Sequence, residues 1–199
     1  MQLMSSVFSI ARKKWGWIRA SPIVDVRKPP QSPRRNRLVT DDELAALAIS
    51  AGSDPANATA RAFMAFRFFI ETGMCAGEVI GLESSWVDLV RRVAHLPKTK
   101  NGESRDMPLS SVAVSILEKL KGDPVFGLRS DNLDVLWRKL RDRAGVEGLT
   151  YHDCRHVAIT RLAKKLDVLD LSPVVGHRDI RMLLTYCEAD AEAQAKRLD

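Results

Sequence analysis

Three cysteines in 199 residues, Cys75, Cys154 and Cys187, are too few, too far apart and odd in number to form a stapling framework, so reduced thiols are expected. No run of about 18 apolar residues occurs, which excludes a membrane-spanning helix. The first residues, MQLMSSVFSIARKKWGW, place their charges after their apolar side chains, the reverse of a secretory signal. A cytoplasmic protein is expected. Internal repeats and low-complexity tracts are absent, and tyrosine is scarce, with only Tyr151 and Tyr186. Acidic residues are scarce in one segment alone. Between Ala11 and Leu38 nine basic residues stand against the single acid Asp25, whereas the remainder carries 22 basic and 24 acidic residues. The excess of +6 therefore has one location, and a polyanion is its natural partner, nucleic acid rather than membrane because the apolar face is weak. A solvated helix and tail is the competing reading.

What is present is mostly helical in pattern. Val7, Ile10, Ala11 and Trp15 recur at helical spacing, so residues 4–19 read as one amphipathic helix. KPPQSPRRNR, residues 28–37, has three prolines and no apolar period, and reads as an extended basic linker. Thr40-Asp41-Asp42-Glu43 has capping-box spacing ahead of LAALAI, and a second helix over about 58–71 ends at Gly73. Three short β-prone runs follow, 86–89, 93–96 and 105–109, the last two joined through Asn101-Gly102 as a tight two-residue hairpin turn. Helices are expected again over about 111–121, 131–144, 153–165, 169–175 and 178–186. The fold class is mainly α with a small antiparallel three-stranded sheet.

Three stretches carry candidate chemistry. In YHDCRH, residues 151–156, His152 and Arg155 are three apart at a helix start, where outward amides and a guanidinium suit a phosphate; alone, this is equally a capped helix with incidental charge. In VVGHRDIRMLLTY, His177 follows a glycine and Tyr186 closes the segment. Lys100 sits at the hairpin tip, where a lysine is ordinarily solvated but is also able to reach into a groove. A metal site is disfavoured, because His152, Cys154 and His156 are two apart in a helix, so that Cys154 points away from the two histidines.

TGMCAGEVIGL, LPKTKNGESRDMPLS, YHDCRHVAITRLA and VVGHRDIRMLLTY, in this order, resemble the catalytic domain of tyrosine recombinases of the phage integrase family, of the shufflon-recombinase kind. The resemblance implies residues 1–29 as a remnant of the family's core-binding domain, 30–38 as a basic linker and 39–199 as the catalytic domain. It implies site-specific DNA recombination through a 3′-phosphotyrosyl intermediate, without metal, cofactor or small-molecule substrate. Tyr186 would be the nucleophile, Lys100 the general acid, Arg155 a phosphate clamp, and His152 and His177 hydrogen-bond donors or proton shuttles.

The family's first catalytic arginine falls at Cys75, and a thiol is short, uncharged and a weak donor. Impaired cleavage is therefore expected. The alternative is a truncated, catalytically weak DNA-binding protein that occupies recombination sites. Arg12, Lys13, Lys14, Arg27, Lys28, Arg34, Arg35 and Arg37 are the expected DNA contacts. Partners implied are double-stranded DNA and further copies of the chain, as a tetramer on DNA, with nucleoid association in a bacterial or phage setting. The tail CEADAEAQAKRLD is helix-prone and suited to packing in cis or in trans.

Overall fold

The computed structural model describes residues 2–27, 37–99, 102–176, 179–184 and 186, with the side chains of Gln2, His152 and Met182 left out of the description. The chain divides into two compact units, residues 1–35 and 36–199.

The first unit holds α1 (Gln2–Lys13), shorter than the expected 4–19. Gly16 takes a φ of +64°, and the amides of Trp15 and Trp17 fold back onto the carbonyls of Ile10 and Ala11, which closes the helix before the tryptophans. The two indoles then pack against each other at 4.5 Å between ring centres. Leu3, Met4, Val7 and Ile10 are exposed on this helix.

The second unit is organised around α3 (Ala58–Thr72), capped by the side chain of Asn57 and closed by Gly73 in the left-handed region. Ala62, Ala65, Phe66, Phe68, Phe69 and Ile70 are all buried, because this helix is covered by α2 (Asp41–Ala51), α5 (Ser111–Glu118), α6 (Ser130–Arg143) and α7 (Tyr151–Ala163). The capping box at Thr40 forms as expected: Glu43 N–H donates to Thr40 Oγ1, and Thr40 N–H donates to Glu43 Oε2. Trp137 of α6 stacks on Phe66 at 4.1 Å, and Tyr151 packs edge-on to Phe66 and Phe69. Removing one such ring from this layer would cost about 3–5 kcal/mol.

After Gly73 the short α4 (Ala76–Ile80) and a 3-10 turn over Ser84–Trp86 lead to the sheet, whose strands β1 (Val87–Asp88), β2 (Val93–Leu96) and β3 (Arg105–Pro108) pair antiparallel in sequential order. The 3-10 turn takes up part of the run expected as strand. At the hairpin, Gly102 has a φ of +85° and returns its N–H to Thr99, while Thr99 N–H donates to Glu103. The β2–β3 register pairs Leu96 with Arg105, so the Thr99–Glu103 bond is offset by one residue and Gly102 forms a bulge where a simple two-residue turn was expected.

Two short helices, α8 (Val168–Val175) and α9 (Arg181–Leu184), close the described chain. Ile159, Leu171, Val175 and Leu183 make a second, smaller apolar cluster between α7, α8 and α9, with Tyr186 packed at its edge. No described helix is long and apolar enough to cross a membrane.

Candidate active site

Helix α7 delivers Arg155. The start of this helix is closed from within, since Asp153, buried, accepts from both the N–H and the hydroxyl of Thr150. The guanidinium of Arg155 reaches across two chain turns. Its Nη1 donates to the Gly73 carbonyl at 2.7 Å and its Nη2 to the Val175 carbonyl at 2.7 Å. Gly73 ends α3 and Val175 ends α8, so one side chain joins the two C-terminal helix ends that border the site. Both ends present carbonyls rather than amides, which is why a cation is stable there.

Cys75 stands beside it. The thiol is half-buried, and Arg155 Nη1 lies 3.5 Å from Cys75 Sγ. The backbone N–H of Cys75 donates to Glu78 Oε2 at 2.7 Å, and the same oxygen accepts from Arg105 Nη2 at 2.7 Å. Glu78 is thereby buried in an ion pair with Arg105.

The two tyrosines pack against different clusters. Tyr151 is enclosed by Phe66, Phe69 and Trp137, its hydroxyl donates to the Ala62 carbonyl at 3.3 Å, and burial pushes its phenol well above the ordinary range. Its ring packs on the main apolar core, although the residue as a whole is half-buried. Tyr186 is half-buried at the edge of the second cluster, its ring 5.0 Å from that of His156 in an edge-to-face contact. His156 follows Arg155 directly on α7, so the same helix turn holds the guanidinium and steadies the Tyr186 ring. Cys154 is fully buried, burial pushes its thiol upward, and its Sγ lies 3.7 Å from the Thr150 carbonyl, as expected of a small core side chain.

His152 lies in the first turn of α7, but Lys100 and His177, together with Lys28, Arg34, Arg35 and Cys187, fall outside the described residues. Among the expected DNA contacts, Arg12, Lys13, Lys14 and Arg27 are exposed. Arg37 differs from them. Its guanidinium pairs with Glu43 and donates to the Glu147 carbonyl at 2.9 Å, so it ties the entry of α2 to the loop before α7. Burial raises the Glu43 carboxyl, but the bonds from Arg37 and Thr40 outweigh it and hold the group below its ordinary value. Sequence reasoning missed two contacts beside these residues, those of Arg105 and His156. An ion pair spanning 27 residues leaves no local pattern, and a histidine beside the expected Arg155 carries no signal of what its ring faces. A separate groove bordered by Leu44, Ala48, Arg67, Ile70, Val157 and Arg161 contains none of these groups.

Comparison with known proteins identifies the family. Residues 37–193 match the phage integrase family. A putative integrase/recombinase of Haemophilus influenzae is 40% identical over an alignment covering the whole chain and 68% of that protein. The shufflon-specific DNA recombinase of Escherichia coli is 36% identical, again over the whole chain but over 52% of its own length, so the chain spans about half of that relative. A crystal structure of a lambda integrase dimer bound to a COC′ core site superposes with a TM-score of 0.74, covering 95% of this chain and 72% of that one at 19% identity. The catalytic domain of bacteriophage HP1 integrase superposes with a TM-score of 0.60, covering 79% of this chain and 92% of that one at 19% identity. At those identities the superpositions establish the fold; with the matched profile and the Haemophilus relative, they establish that the chain belongs to the phage integrase family.

Proposed function

We propose that this chain is the catalytic part of a site-specific recombinase that cuts and rejoins duplex DNA through Tyr186. The phenol oxygen attacks a phosphodiester, the P–O5′ bond breaks, and a 3′-phosphotyrosyl link forms while the departing 5′-oxygen takes a proton from Lys100. A second strand's 5′-hydroxyl reverses the step, so the bond energy is retained and no cofactor is consumed. An ordinary phenol has a pKa of about 10, and its deprotonation must be assisted as the bond to phosphorus forms, which is the work assigned to His152 and His177. Arg155 holds a non-bridging oxygen through the part of its fork not spent on Gly73 and Val175.

The observation that carries this reading is the anchoring of Arg155 on two helix-end carbonyls, with the Tyr186 ring held by the neighbouring His156. A guanidinium fixed in this way is preorganised, which is what stabilising developing negative charge requires. Arg12, Lys13, Lys14 and Arg27, with Lys28, Arg34 and Arg35 of the linker, are assigned to the DNA backbone. In this assignment residues 1–29 belong to the DNA-clamping region, 30–38 are the linker and 39–199 the catalytic domain, and the active assembly is a tetramer on DNA in the cytoplasm, at the nucleoid.

A second reading is favoured by Cys75, whose thiol offers no positive charge beside Arg155. In that reading the chain occupies recombination sites with little cleavage. The experiment that separates the two incubates the protein with a pool of nicked duplexes of randomised sequence and isolates denaturant-resistant protein–DNA adducts. Adducts that form in the native chain and are lost in Tyr186→Phe, with duplex binding retained, support cleavage; binding without adduct supports occupation.

A further inference from the structure

We propose that Arg105 supplies the scissile phosphate with the positive charge that Cys75 does not; the inference rests on the recombinase reading above. Arg105 lies on β3, paired across the hairpin with Leu96, and its side chain is 11% exposed. One carboxylate oxygen, Glu78 Oε2, accepts both from Arg105 Nη2 and from the backbone N–H of Cys75, each at 2.7 Å. The guanidinium is thus two hydrogen bonds from the backbone of residue 75, the position at which a clamping cation is missing.

The second observation comes from the other side of the site. Gly176 is in the left-handed region with a φ of +65°, and a Cβ placed on it would come within 2.2 Å of Arg105 Nη1. The adjacent residue, Val175, gives its carbonyl to Arg155 Nη2. Two guanidiniums from separate elements, β3 and α7, therefore meet the same turn at the end of α8, and residue 176 has no side chain to keep Arg105 away.

The ion pair is poorly explained by stability. Arg105 and Glu78 are 11% and 8% exposed, and Arg105 Nε and Glu78 Oε1 are buried without a hydrogen bond among the described residues. Taking two charges out of water while leaving polar atoms unmatched is costly, and apolar side chains of similar volume often do as well or better. A ligand that brings its own negative charge alters that balance. A phosphodiester carries one negative charge and gains more as it becomes pentacoordinate, whereas at the non-bridging oxygens, away from the leaving oxygen assigned to Lys100, Arg155 and Cys75 together provide only one positive charge. Arg105 brings a second, with a planar fork suited to phosphate oxygens, and Glu78 holds it in place.

A purely structural role would be to pin the β2–β3 hairpin against α4. The two roles differ in how they depend on residue 75. The experiment compares the native chain, Arg105→Gln, Cys75→Arg and the double variant, measuring the adduct-forming rate on the nicked duplexes selected above together with thermal stability. If Arg105 substitutes for the missing cation, Arg105→Gln slows adduct formation by about tenfold or more in the native background but by less than about threefold with Cys75→Arg, and Arg105→Lys recovers part of the loss. Equal losses in both backgrounds, accompanied by equal falls in Tm, overturn the proposal in favour of hairpin pinning. If no variant forms adduct, the recombinase reading fails on its own. The salt dependence of duplex binding then decides about Arg105: a slope of log K against log salt that is shallower by about 1 in Arg105→Gln supports a phosphate contact, and an unchanged slope overturns it.

Discussion

Replacing Cys75 with arginine puts a second guanidinium beside Arg155, and its sign of action depends on whether DNA is present. In the native chain Cys75 Sγ is 3.5 Å from Arg155 Nη1. Two positive charges about 4 Å apart at an effective dielectric near 20 repel by about 4 kcal/mol, an upper bound here because residue 75 is half-exposed and Glu78 is bonded to its backbone. A net cost of about 1–2 kcal/mol without DNA follows, which for a domain of this size lowers Tm by about 2–8 °C. With a phosphodiester in the site the same charge becomes a second clamp. One added donor at a developing oxyanion accelerates cleavage by about 10² to 10³, and the lower end is expected because Arg105 stands nearby. The assay is adduct formation at saturating duplex, paired with thermal melting of the free protein. A variant that is less stable when free but cleaves about 10²-fold faster meets the prediction. Unchanged cleavage with full duplex occupancy would refute the assignment of residue 75 to the phosphate site.

Other perturbations test separate links. Gly73→Ala forces a side chain into a φ of +66° and brings its Cβ to 3.3 Å from that of Ala158, so a loss of about 1–2 kcal/mol or more is expected by denaturant unfolding, with cleavage also reduced because Arg155 is anchored on this carbonyl. Tyr151 tests pH dependence. Burial raises its phenol, so the folded state retains the proton beyond the unfolded value of about 10; the associated stability is present below that pH and lost as pH rises toward the folded value. Tyr151→Phe should flatten this alkaline loss, cost about 1 kcal/mol at neutral pH for the bond to Ala62, and leave adduct formation intact. Arg37→Ala should destabilise the catalytic unit through loss of the Glu43 and Glu147 contacts more than it weakens duplex binding, the reverse of Lys13→Ala.

Local signals were the readable ones. The capping box at Thr40, the terminator Gly73 and the strand runs of β2 and β3 depend on neighbouring residues, and each forms close to where the spacing puts it. Where a glycine decided a boundary beyond the apolar pattern, the outcome shifted: Gly16 closes α1 before Trp15, and the Gly102 bulge replaces a simple turn. The site was legible as a set of residue types but not as a set of contacts. Arg155 is fixed by carbonyls of residues 73 and 175, and Arg105 by a carboxylate on α4, links that only the packed fold creates. The scarcity of tyrosine narrowed the candidate nucleophile to two residues, and packing against Trp137 and Phe69 rather than against His156 distinguishes Tyr151 from Tyr186.

The most direct measurement maps the residue that carries DNA in a trapped adduct. After nuclease trimming and proteolysis of adduct from the native chain and from Cys75→Arg, mass spectrometry should find the nucleotide remnant on the peptide containing Tyr186. A remnant on Tyr151 or on another residue, or no adduct from either protein under conditions of full duplex occupancy, would contradict the account.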